Sequence, residues 1–446
     1  MTRALAVLGL AAAVMMACPA PPCSGAACTD AGTSTGGGSA SIGGGTGGGV
    51  GITGGGSTAT GGGAAVDAGS DAGTAACPPA GLAIVPASLD FGEVPAGCGE
   101  VRTLALVSTC DRPQTLRVEG RGAFQLQLDG GTLTLPAGGA VSLGVKFFAV
   151  NASLQQEALP ITGDGAAWTV PVRAIASQSR SRNEGFVQAA EPKSDVLFVL
   201  SDGPGMGPAQ ALLAASAPAV RTNAIATGAN IQFAAVLGAS DAGLITSAGT
   251  PTISTVSSRF ETSFATLVSP GTSGSPTVSC LARAGHTLLS STSWRQPGAN
   301  LTVLCVQDSN EEAGGAEAWR QVILAASTTR TRVSAVANFA PCASTDPVLD
   351  DAVAATSGTR QSICALDAGW PASLVFPVSN DFRLSHRADP DAGVQVRVDQ
   401  VAVPDTSGTQ TVWALDADQH AIVFAPLFTP EPGKTVEIEY QAACQP

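Results

Sequence analysis

The sequence predicts a multidomain chain: a disordered Gly-rich tether, an antiparallel β-sandwich, an α/β doubly wound domain and a β-rich C-terminal segment. Three observations support this prediction. Residues 19–80 are dominated by Gly, Ala, Ser and Thr, residues 81–176 hold short alternating apolar runs between turns, and residues 193–390 alternate apolar strands with helical stretches. The chain has 446 residues, enough for two or three domains.

The first eighteen residues have the pattern of a secretory signal peptide. Arg3 precedes an uncharged apolar run that ends at Ala17 and is shorter than the about 20 residues of a spanning helix. The sequence Met-Met-Ala-Cys at residues 15–18 resembles the lipobox of bacterial lipoproteins. This resemblance implies lipid attachment at Cys18 and a place in the cell envelope, at the outer membrane or cell surface. Cleavage near Ala17 without a lipid, giving a secreted or periplasmic protein, is the alternative.

The charge balance argues against nucleic acid as a partner. The chain carries 22 basic and 35 acidic residues, a net charge of −13, whereas nucleic acids and anionic membranes attract clustered Lys and Arg. The charge does not indicate a specific ligand. Because the chain is predicted to lie at the cell surface, we expect an unknown protein or other cell-surface ligand as partner, and contact with a membrane through the lipid anchor only.

Residues 19–80 are predicted to be a flexible tether, since Gly-rich sequence buries too little apolar surface to offset chain entropy. Coil statistics give a tether of this length a reach of roughly 40–50 Å. It would hold the folded domains away from a membrane to which Cys18 is attached.

The predicted sandwich covers residues 81–176, where short apolar runs are separated by turns. The segment Pro-Ala-Ser-Leu-Asp-Phe-Gly-Glu-Val at residues 86–94 is followed by Leu-Pro-Ala-Gly at 135–138 and Val-Lys-Phe at 145–147. This order resembles the immunoglobulin-like choice-of-anchor D (ASH-type) domain. The resemblance implies an adhesion or spacing module without catalytic residues.

The cysteines indicate disulfides, because an exported protein with eleven cysteines does not keep them all as free thiols. We predict the pairs Cys98–Cys110 and Cys342–Cys364, which close short loops. The sequence leaves pairing among Cys280, Cys305 and Cys444 open.

Residues 177–192 are polar and are predicted to be a linker, followed by the α/β domain over 193–390 and a β-rich segment over 391–446. Within the α/β domain, apolar runs predict strands at 194–200, 231–237, 301–306 and 331–337. Helices are predicted at 208–217, 277–291, 314–327 and 346–356.

The turn after the first of these strands reads Ser-Asp-Gly-Pro-Gly-Met-Gly at residues 201–207, and the third strand ends in Val-Gln-Asp at 306–308. This arrangement resembles von Willebrand factor A-like domains, in which an Asp-x-Ser-x-Ser turn and a later acidic residue hold a divalent ion. Here Ser201, Gly203 and Gly205 replace the three ligands, and Asp308 matches the later acid. The resemblance therefore implies a degenerate ion site without a metal or other cofactor. A metal-dependent adhesin that uses Asp308, Asp202 and loop carbonyls is the alternative.

The sequence offers little for catalysis. Glycines at 203–207 are too few for a dinucleotide-binding turn, because Pro208 stands where the last glycine belongs. The histidines, His286, His386 and His420, have no metal-ligand spacing, and no nucleophile elbow is present. We therefore predict no catalytic residues and a non-enzymatic binding, adhesion or scaffolding role through the α/β domain. A nucleotide-using or hydrolytic enzyme is the least supported class.

Overall fold

A computed structural model describes residues 81–189, 192–239, 243–274, 278–311, 314–327, 329–366, 381–417 and 420–444. The signal-like segment with Cys18 and the predicted tether at 19–80 lie outside the described residues. The described residues belong to one unit by their mutual contacts.

Residues 82–177 form two facing β-sheets. Their strands are β1 Leu82–Val85, β2 Leu89–Pro95, β3 Gly99–Ser108, β4 Gln114–Val118, β5 Phe124–Leu126, β6 Thr132–Leu135, β7 Ala140–Phe148, β8 Leu154–Gly163 and β9 Ala166–Ser177. One sheet has the order β1-β3-β7-β5 and the other β2-β9-β8-β4-β6, with antiparallel pairing except between β2 and β9. Two such sheets form an immunoglobulin-like sandwich, as the sequence predicts.

The sandwich core follows from the alternation of its strands. In β9, Val170 and Val172 are buried while Pro171 between them is exposed, because neighbouring side chains point to opposite faces of a sheet. Phe91, Phe124 and Phe147 meet at the centre with ring centroids 5.1–5.9 Å apart. Packing of the two inner faces around these rings holds the sheets together.

The segment predicted to be a linker contains strand β10, Ser181–Val187. It is followed by a six-stranded sheet and six helices. They are β11 Lys193–Leu200, α1 Gly207–Ala215, α2 Ala217–Ala226, β12 Asn230–Leu237, β13 Ile253–Ser254, α3 Phe260–Leu267, α4 Cys280–Ser290, β14 Asn300–Val306, α5 Ala316–Ala325, β15 Thr331–Ala337, α6 Pro347–Ala355 and β16 Arg360–Ser362.

This sheet has the order β13-β12-β11-β14-β15-β16, and only β13 runs antiparallel to its neighbour. Both faces are covered. Phe198 of β11 packs in a core with α1, α2 and α3, whereas Leu197 and Val199 pack in a core with α4, α5 and α6. A parallel strand buried on both faces has a near-continuous apolar sequence, which explains the apolar run over residues 196–200 of β11.

The C-terminal part holds short strands around a fourth core. They are β17 Asp381–Arg383, β18 Val394–Val398, β19 Val401–Val403, β20 Thr406–Ser407, β21 Gln410–Thr411, β22 Trp413–Asp416, β23 Ala421–Phe424 and β24 Thr435–Gln441. One sheet has the order β10-β24-β18-β19, a second has the order β17-β23-β22, and β20 and β21 pair with each other. Because β10 pairs with β24 over its whole length, the segment before the α/β domain and the end of the chain share a sheet.

The sandwich and the α/β domain also share a core. Ala105, Val107 and Ala140 of the sandwich are buried together with side chains of α5. Gly315, just before α5, has a φ of 77°, and a Cβ placed there would lie 2.0 Å from the carbonyl oxygen of Ala140. This close approach requires glycine.

Three disulfides are described. Cys342–Cys364 confirms the sequence prediction, and Cys280–Cys305 resolves part of the pairing that the sequence left open. The predicted pair Cys98–Cys110 is wrong, because Cys98 is bonded to Cys444 and Cys110 is in a different disulfide.

In the part of the chain described above, each helix is too short or too polar to cross a membrane.

Candidate functional site

The order of the six-stranded sheet reverses between β11 and β14, its two central strands. In open α/β sheets, ligands bind outside the carboxyl ends of the strands at such a reversal, because the connections leave in opposite directions and open a crevice. Ser201 directly follows β11, and Asp308 lies two residues after β14. The two central strands therefore bring these sequence-predicted positions to one edge.

Side chains at this edge contact one another directly. Ser201 is fully buried, and its Oγ donates a hydrogen bond to Oδ1 of Asp308 at 3.3 Å and accepts one from the Gly203 amide at 3.2 Å. A Cβ placed on Gly205 would lie 2.3 Å from Oδ2 of Asp308. The Asp308 carboxylate thus occupies the space that a side chain at position 205 would fill. Ser201 and Gly205 therefore both lie against Asp308, and Gly203 is linked to them through the Ser201 hydroxyl.

Asp202 faces a different loop. Its carbonyl oxygen accepts a hydrogen bond from the Gly274 amide at 2.9 Å, and its carboxylate lies where a Cβ on Gly274 would be. The Oδ1 atom of Asp202 is buried without a hydrogen-bond partner among the described residues. Asp202 and Asp308 therefore contact different glycines, and the described residues hold no group of three His, Cys, Asp or Glu side chains suited to a metal ion.

Gln210 of α1 ties the two loops together. Its Nε2 donates to the carbonyl oxygens of Ser201 at 3.1 Å and Gly271 at 2.8 Å, and its Oε1 accepts from the Gly271 amide at 3.2 Å. Because the Gln210 side chain is buried, these hydrogen bonds fix the position of the 271–274 loop beside the end of β11.

A second network fixes the loop that carries Asp308. The buried Asp346 caps helix α6 through the Leu349 amide at 3.0 Å, and its other oxygen accepts from the Glu311 amide at 2.7 Å. Asn338 donates to the carbonyl oxygen of Asp308 at 3.3 Å. The Asp-Pro pair at 346–347 is a helix-start signal that the sequence does carry, but nothing in the sequence pairs it with a loop 35 residues away.

The turn at 203–207 forms a tight connection. Pro204–Met206 make a single 3-10 turn that leads directly into α1, and the Met206 side chain is buried in the core. The glycines here form the turn, and Gly205 lies against Asp308.

The sequence does not indicate the polar cluster that lies where the sandwich meets the C-terminal strands. Ser385 Oγ lies 2.8 Å from Nδ1 of His386, and Nε2 of His386 lies 3.8 Å from Oε2 of Glu100. The Ser385 hydroxyl also donates to Glu184 at 2.8 Å, and Glu184 accepts a hydrogen bond from the Tyr440 hydroxyl. Serine, histidine and glutamate in contact resemble a hydrolytic triad in composition.

The geometry of this cluster suits a structural junction better than catalysis. The cavity beside His386 has a volume of about 10 Å³, the size of a single water site. Burial and the nearby Arg182 and Arg102 lower the pKa of His386. Burial, Arg102 and neighbouring arginines lower the pKa of His420 to about 4. His386 and His420 both line this cavity, whereas His286 packs against Trp319 with ring centroids 4.5 Å apart.

The sequence matches no protein-family model and no curated protein. Among solved structures, the chain is similar to the ASH / PapD-like domain of human CEP192, with 10% identity and a TM-score of 0.22 over 23% of this chain and 90% of that one. It is also similar to WR4, a Caenorhabditis elegans MSP family member, with 13% identity and a TM-score of 0.18 over 22% and 98% of the two chains. The class 5 fimbriae chaperone CfaA matches with 12% identity and a TM-score of 0.18 over 24% of this chain and 61% of CfaA.

Proposed function

We propose that the chain is a non-enzymatic, lipid-anchored protein of the outer membrane or cell surface that binds or scaffolds a protein or other cell-surface ligand through its α/β domain. We further propose that this domain is of the von Willebrand factor A-like type with a degenerate ion site. The reversed strand order, the antiparallel edge strand β13 and the position of Asp308 after β14 support this assignment.

One observation carries the proposal of binding without a metal. The Asp308 carboxylate accepts a hydrogen bond from Ser201 and lies against Gly205, so it is engaged within the protein. A divalent ion such as Mg²⁺ needs near-octahedral oxygen ligation, and glycine at 203 and 205 offers no side-chain oxygen. Recognition at this edge then depends on its exposed loop surface.

Contacts between the domains hold the α/β domain, and with it the loop surface beside Asp308, in the folded unit. Ala105 and Ala140 of the sandwich share a core with α5 of the α/β domain, and the Cys98–Cys444 disulfide joins the sandwich to the end of the C-terminal strands. With Cys18 carrying a lipid, residues 19–80 would connect the folded unit to the membrane.

A metal-dependent adhesin is the second candidate, and a specific observation favours it. Oδ1 of Asp202 is buried at the same edge without a hydrogen-bond partner among the described residues. A buried carboxylate oxygen that lacks a donor is destabilising, and a cation there would remove that cost. Asp202, Asp308 and loop carbonyls would then form a residual site.

Capture from intact cells distinguishes the two candidates. The tagged full chain is incubated with cells in EDTA and in millimolar Mg²⁺, and bound proteins are identified by mass spectrometry. The double variant Thr272→Arg with Ser273→Arg places two bulky cations on the exposed loop of the edge. The matched variant Thr406→Arg with Ser407→Arg changes the same residue types on an exposed hairpin elsewhere.

We expect a partner captured equally in EDTA and Mg²⁺, lost with the first double variant and retained with the second. Capture that needs Mg²⁺ and disappears in Asp308→Ala would favour the adhesin. Capture that is unchanged in both double variants would remove the edge as the binding surface.

A further inference from the structure

One cysteine of the Cys98–Cys444 disulfide is open to solvent. Cys98 is 2% exposed and belongs to the sandwich core, whereas Cys444 is exposed. Thiol–disulfide exchange begins when a thiolate attacks one sulfur of a disulfide, so access to that sulfur limits the reaction. A thiolate from solvent can therefore approach this bond at Cys444. It cannot approach the Cys280–Cys305 bond in the same way, because both of those cysteines are fully buried.

The guanidinium of Arg180 lies against both sulfur atoms of this disulfide. Its Nη2 is 2.6 Å from Sγ of Cys444 and 3.7 Å from Sγ of Cys98. The carbonyl oxygen of Arg180 accepts a hydrogen bond from the Ala442 amide at 2.8 Å, which keeps the arginine beside the end of the chain. Arg180 is itself exposed, so its charge can attract an anionic thiolate from solvent. The same charge stabilises the thiolate that leaves when the disulfide opens.

The surroundings of Cys98 hold further positive charge. Cys98 lines the small cavity beside His386, together with Arg387, His420 and one carboxylate, Glu100, which is paired with an arginine. Burial and then the neighbouring arginines lower the pKa of His420 to about 4, as expected where positive groups predominate. Burial alone would disfavour a thiolate at Cys98, and these charges oppose that effect.

The Cys342–Cys364 disulfide offers a comparison within the same chain. Cys364 is exposed, so this bond is also open to attack from solvent. The polar contact described for its sulfurs is with a hydroxyl, because Sγ of Cys342 lies 3.4 Å from Oγ of Ser362. The arginine that precedes it closely in sequence, Arg360, is paired with Asp350. Among the described residues, the two exposed disulfides thus differ in whether a guanidinium contacts the sulfur atoms.

We propose that Cys98–Cys444 is a site of thiol–disulfide exchange, at which an external dithiol opens the bond by attack on Sγ of Cys444. A bond forms between the attacking sulfur and Sγ of Cys444, the bond to Cys98 breaks, and its electron pair leaves on Sγ of Cys98 beside Arg180. The second thiolate of the dithiol then attacks the first sulfur of the dithiol and releases Cys444. The chain disulfide thereby gains two electrons and two protons from the dithiol, which becomes a disulfide.

Opening this bond would remove a covalent link between distant parts of the chain. The two cysteines are 346 residues apart in sequence. The end of the chain would then be held beside the sandwich by weaker contacts, among them the hydrogen bonds from the Ala442 amide to Arg180 and from the Ala443 amide to Arg387. Attachment of the C-terminal strands to the sandwich thus becomes sensitive to the thiols present in the surroundings.

Reduction of the full chain under native conditions tests this site. The chain is incubated with dithiothreitol, samples are quenched with acid at intervals, and the alkylated thiols of each disulfide are quantified by peptide mass spectrometry. Arg180→Gln removes the charge beside the sulfurs, and Arg180→Lys keeps it. The matched control Arg360→Gln makes the same change four residues before Cys364.

We expect the Cys98–Cys444 bond to open about tenfold faster than the other exposed disulfide, and the buried disulfide to open last. Arg180→Gln should slow this opening about threefold or more at low salt, because the attracting charge is lost. Arg180→Lys and Arg360→Gln should each change the rate by less than about twofold. With glutathione in place of dithiothreitol, the first mixed disulfide should form on Cys444.

Three disulfides that open at one rate would mean that reduction requires unfolding, and this result would overturn the proposal. So would an unchanged rate in Arg180→Gln, or a first glutathione adduct on Cys98. The order of the rates and the position of the adduct are measured on the unmodified chain, so they decide the question even where Arg180→Gln does not fold.

Discussion

Cys98, which directly precedes strand β3 of the sandwich, is disulfide-bonded to Cys444, which follows the last strand of the chain. The two cysteines are 346 residues apart in sequence, and their Cα atoms are 5.0 Å apart. Pairing of β10 with β24 makes this possible, because the Ala442 amide donates to the carbonyl oxygen of Arg180 at 2.8 Å and keeps the chain end beside the sandwich. The bond covalently closes a loop that contains the whole α/β domain.

Replacing both cysteines, as Cys98→Ala with Cys444→Ala, should lower the free energy of unfolding by about 2–5 kcal/mol, since a long closed loop restricts the unfolded chain. Chemical denaturation of the full chain measures this, and peptide mapping without reductant should recover the two cysteines in one cross-linked fragment. The Cys342–Cys364 disulfide closes a far shorter loop, so replacing both of its cysteines should lower the free energy of unfolding by less. A Cys98–Cys110 fragment in the map would contradict the structure.

The sequence predicts strands and helices, but it does not predict the Cys98–Cys444 disulfide. Short-range periodicity located the strand at 194–200 and the helix at 346–356 within two residues, because strand and helix patterns depend on neighbouring residues. The Cys98–Cys110 prediction assumed that nearby cysteines pair. The true partner is set by β10, which the polar composition of residues 177–192 concealed.

Part of the candidate site could be predicted from the sequence, because the positions of strands could be predicted. Ser201, Gly205 and Asp308 follow strand ends, and strand ends of a parallel sheet meet at one edge. The capping of α6 by Asp346 and its contact with Glu311 depend on how two loops approach each other. Likewise, His386, Glu100 and Glu184 come from distant segments that only the folded chain brings together.

Gly205→Ser should destabilise the protein even though it restores a hydroxyl found in von Willebrand factor A-like turns. A Cβ at this position would lie 2.3 Å from the Asp308 carboxylate, and overpacking of this kind costs about 1–3 kcal/mol. Adding Asp308→Ala should recover at least half of the loss by removing the colliding group. Denaturant unfolding of the single and the double variant measures the energetic coupling between positions 205 and 308.

The matched control for Gly205→Ser is Gly185→Ser in β10, where no heavy atom lies within 4 Å of the added Cβ. It should change stability by less than about 0.5 kcal/mol. Equal effects at positions 205 and 185 would show that the Asp308 contact is not responsible.

His420 should make folding sensitive to acid. Burial and neighbouring arginines lower its pKa from 6.5 to about 4 in the folded state. The unfolded chain therefore binds more protons between these values, so the stability associated with neutral His420 is present above pH 6.5 and is lost as the pH falls toward 4. The loss between pH 7.5 and pH 4.5 should be on the order of 2 kcal/mol.

His420→Asn should remove this part of the pH dependence. Asparagine tolerates the φ of 52° that the backbone adopts at position 420. Free energies of unfolding at pH 7.5, 5.5 and 4.5 would be compared for the two proteins, and the unmodified chain should lose more stability at acid pH. Parallel curves would mean that His420 titrates normally in the folded protein.

Lipid attachment at Cys18 predicts a change of cell fraction. Cys18→Ser should move the protein from the membrane fraction to the soluble one, because the lipid is the proposed anchor. Cys23→Ser, the same change five residues further on, should leave the protein with the membrane. Fractionation and immunoblotting check this, and membrane retention of Cys18→Ser would refute the anchor.

The last prediction concerns a metal at the Asp308 edge. The Ser201 hydroxyl already bonds the Asp308 carboxylate, and Asp202 contacts Gly274 rather than Gly205. One carboxylate with carbonyl oxygens and water would bind Mg²⁺ weakly, because the glycines at 203 and 205 contribute neither charge nor side-chain ligands. A ligand present at 100 times its dissociation constant would stabilise the folded state by about 2.7 kcal/mol, which thermal melting detects easily. We expect the same melting temperature for the full chain in EDTA and in millimolar Mg²⁺, Mn²⁺ or Ca²⁺. A rise that is lost in both Asp308→Ala and Asp202→Ala, but kept in the exposed-surface variant Asp350→Ala, would instead establish a working ion site and favour the adhesin.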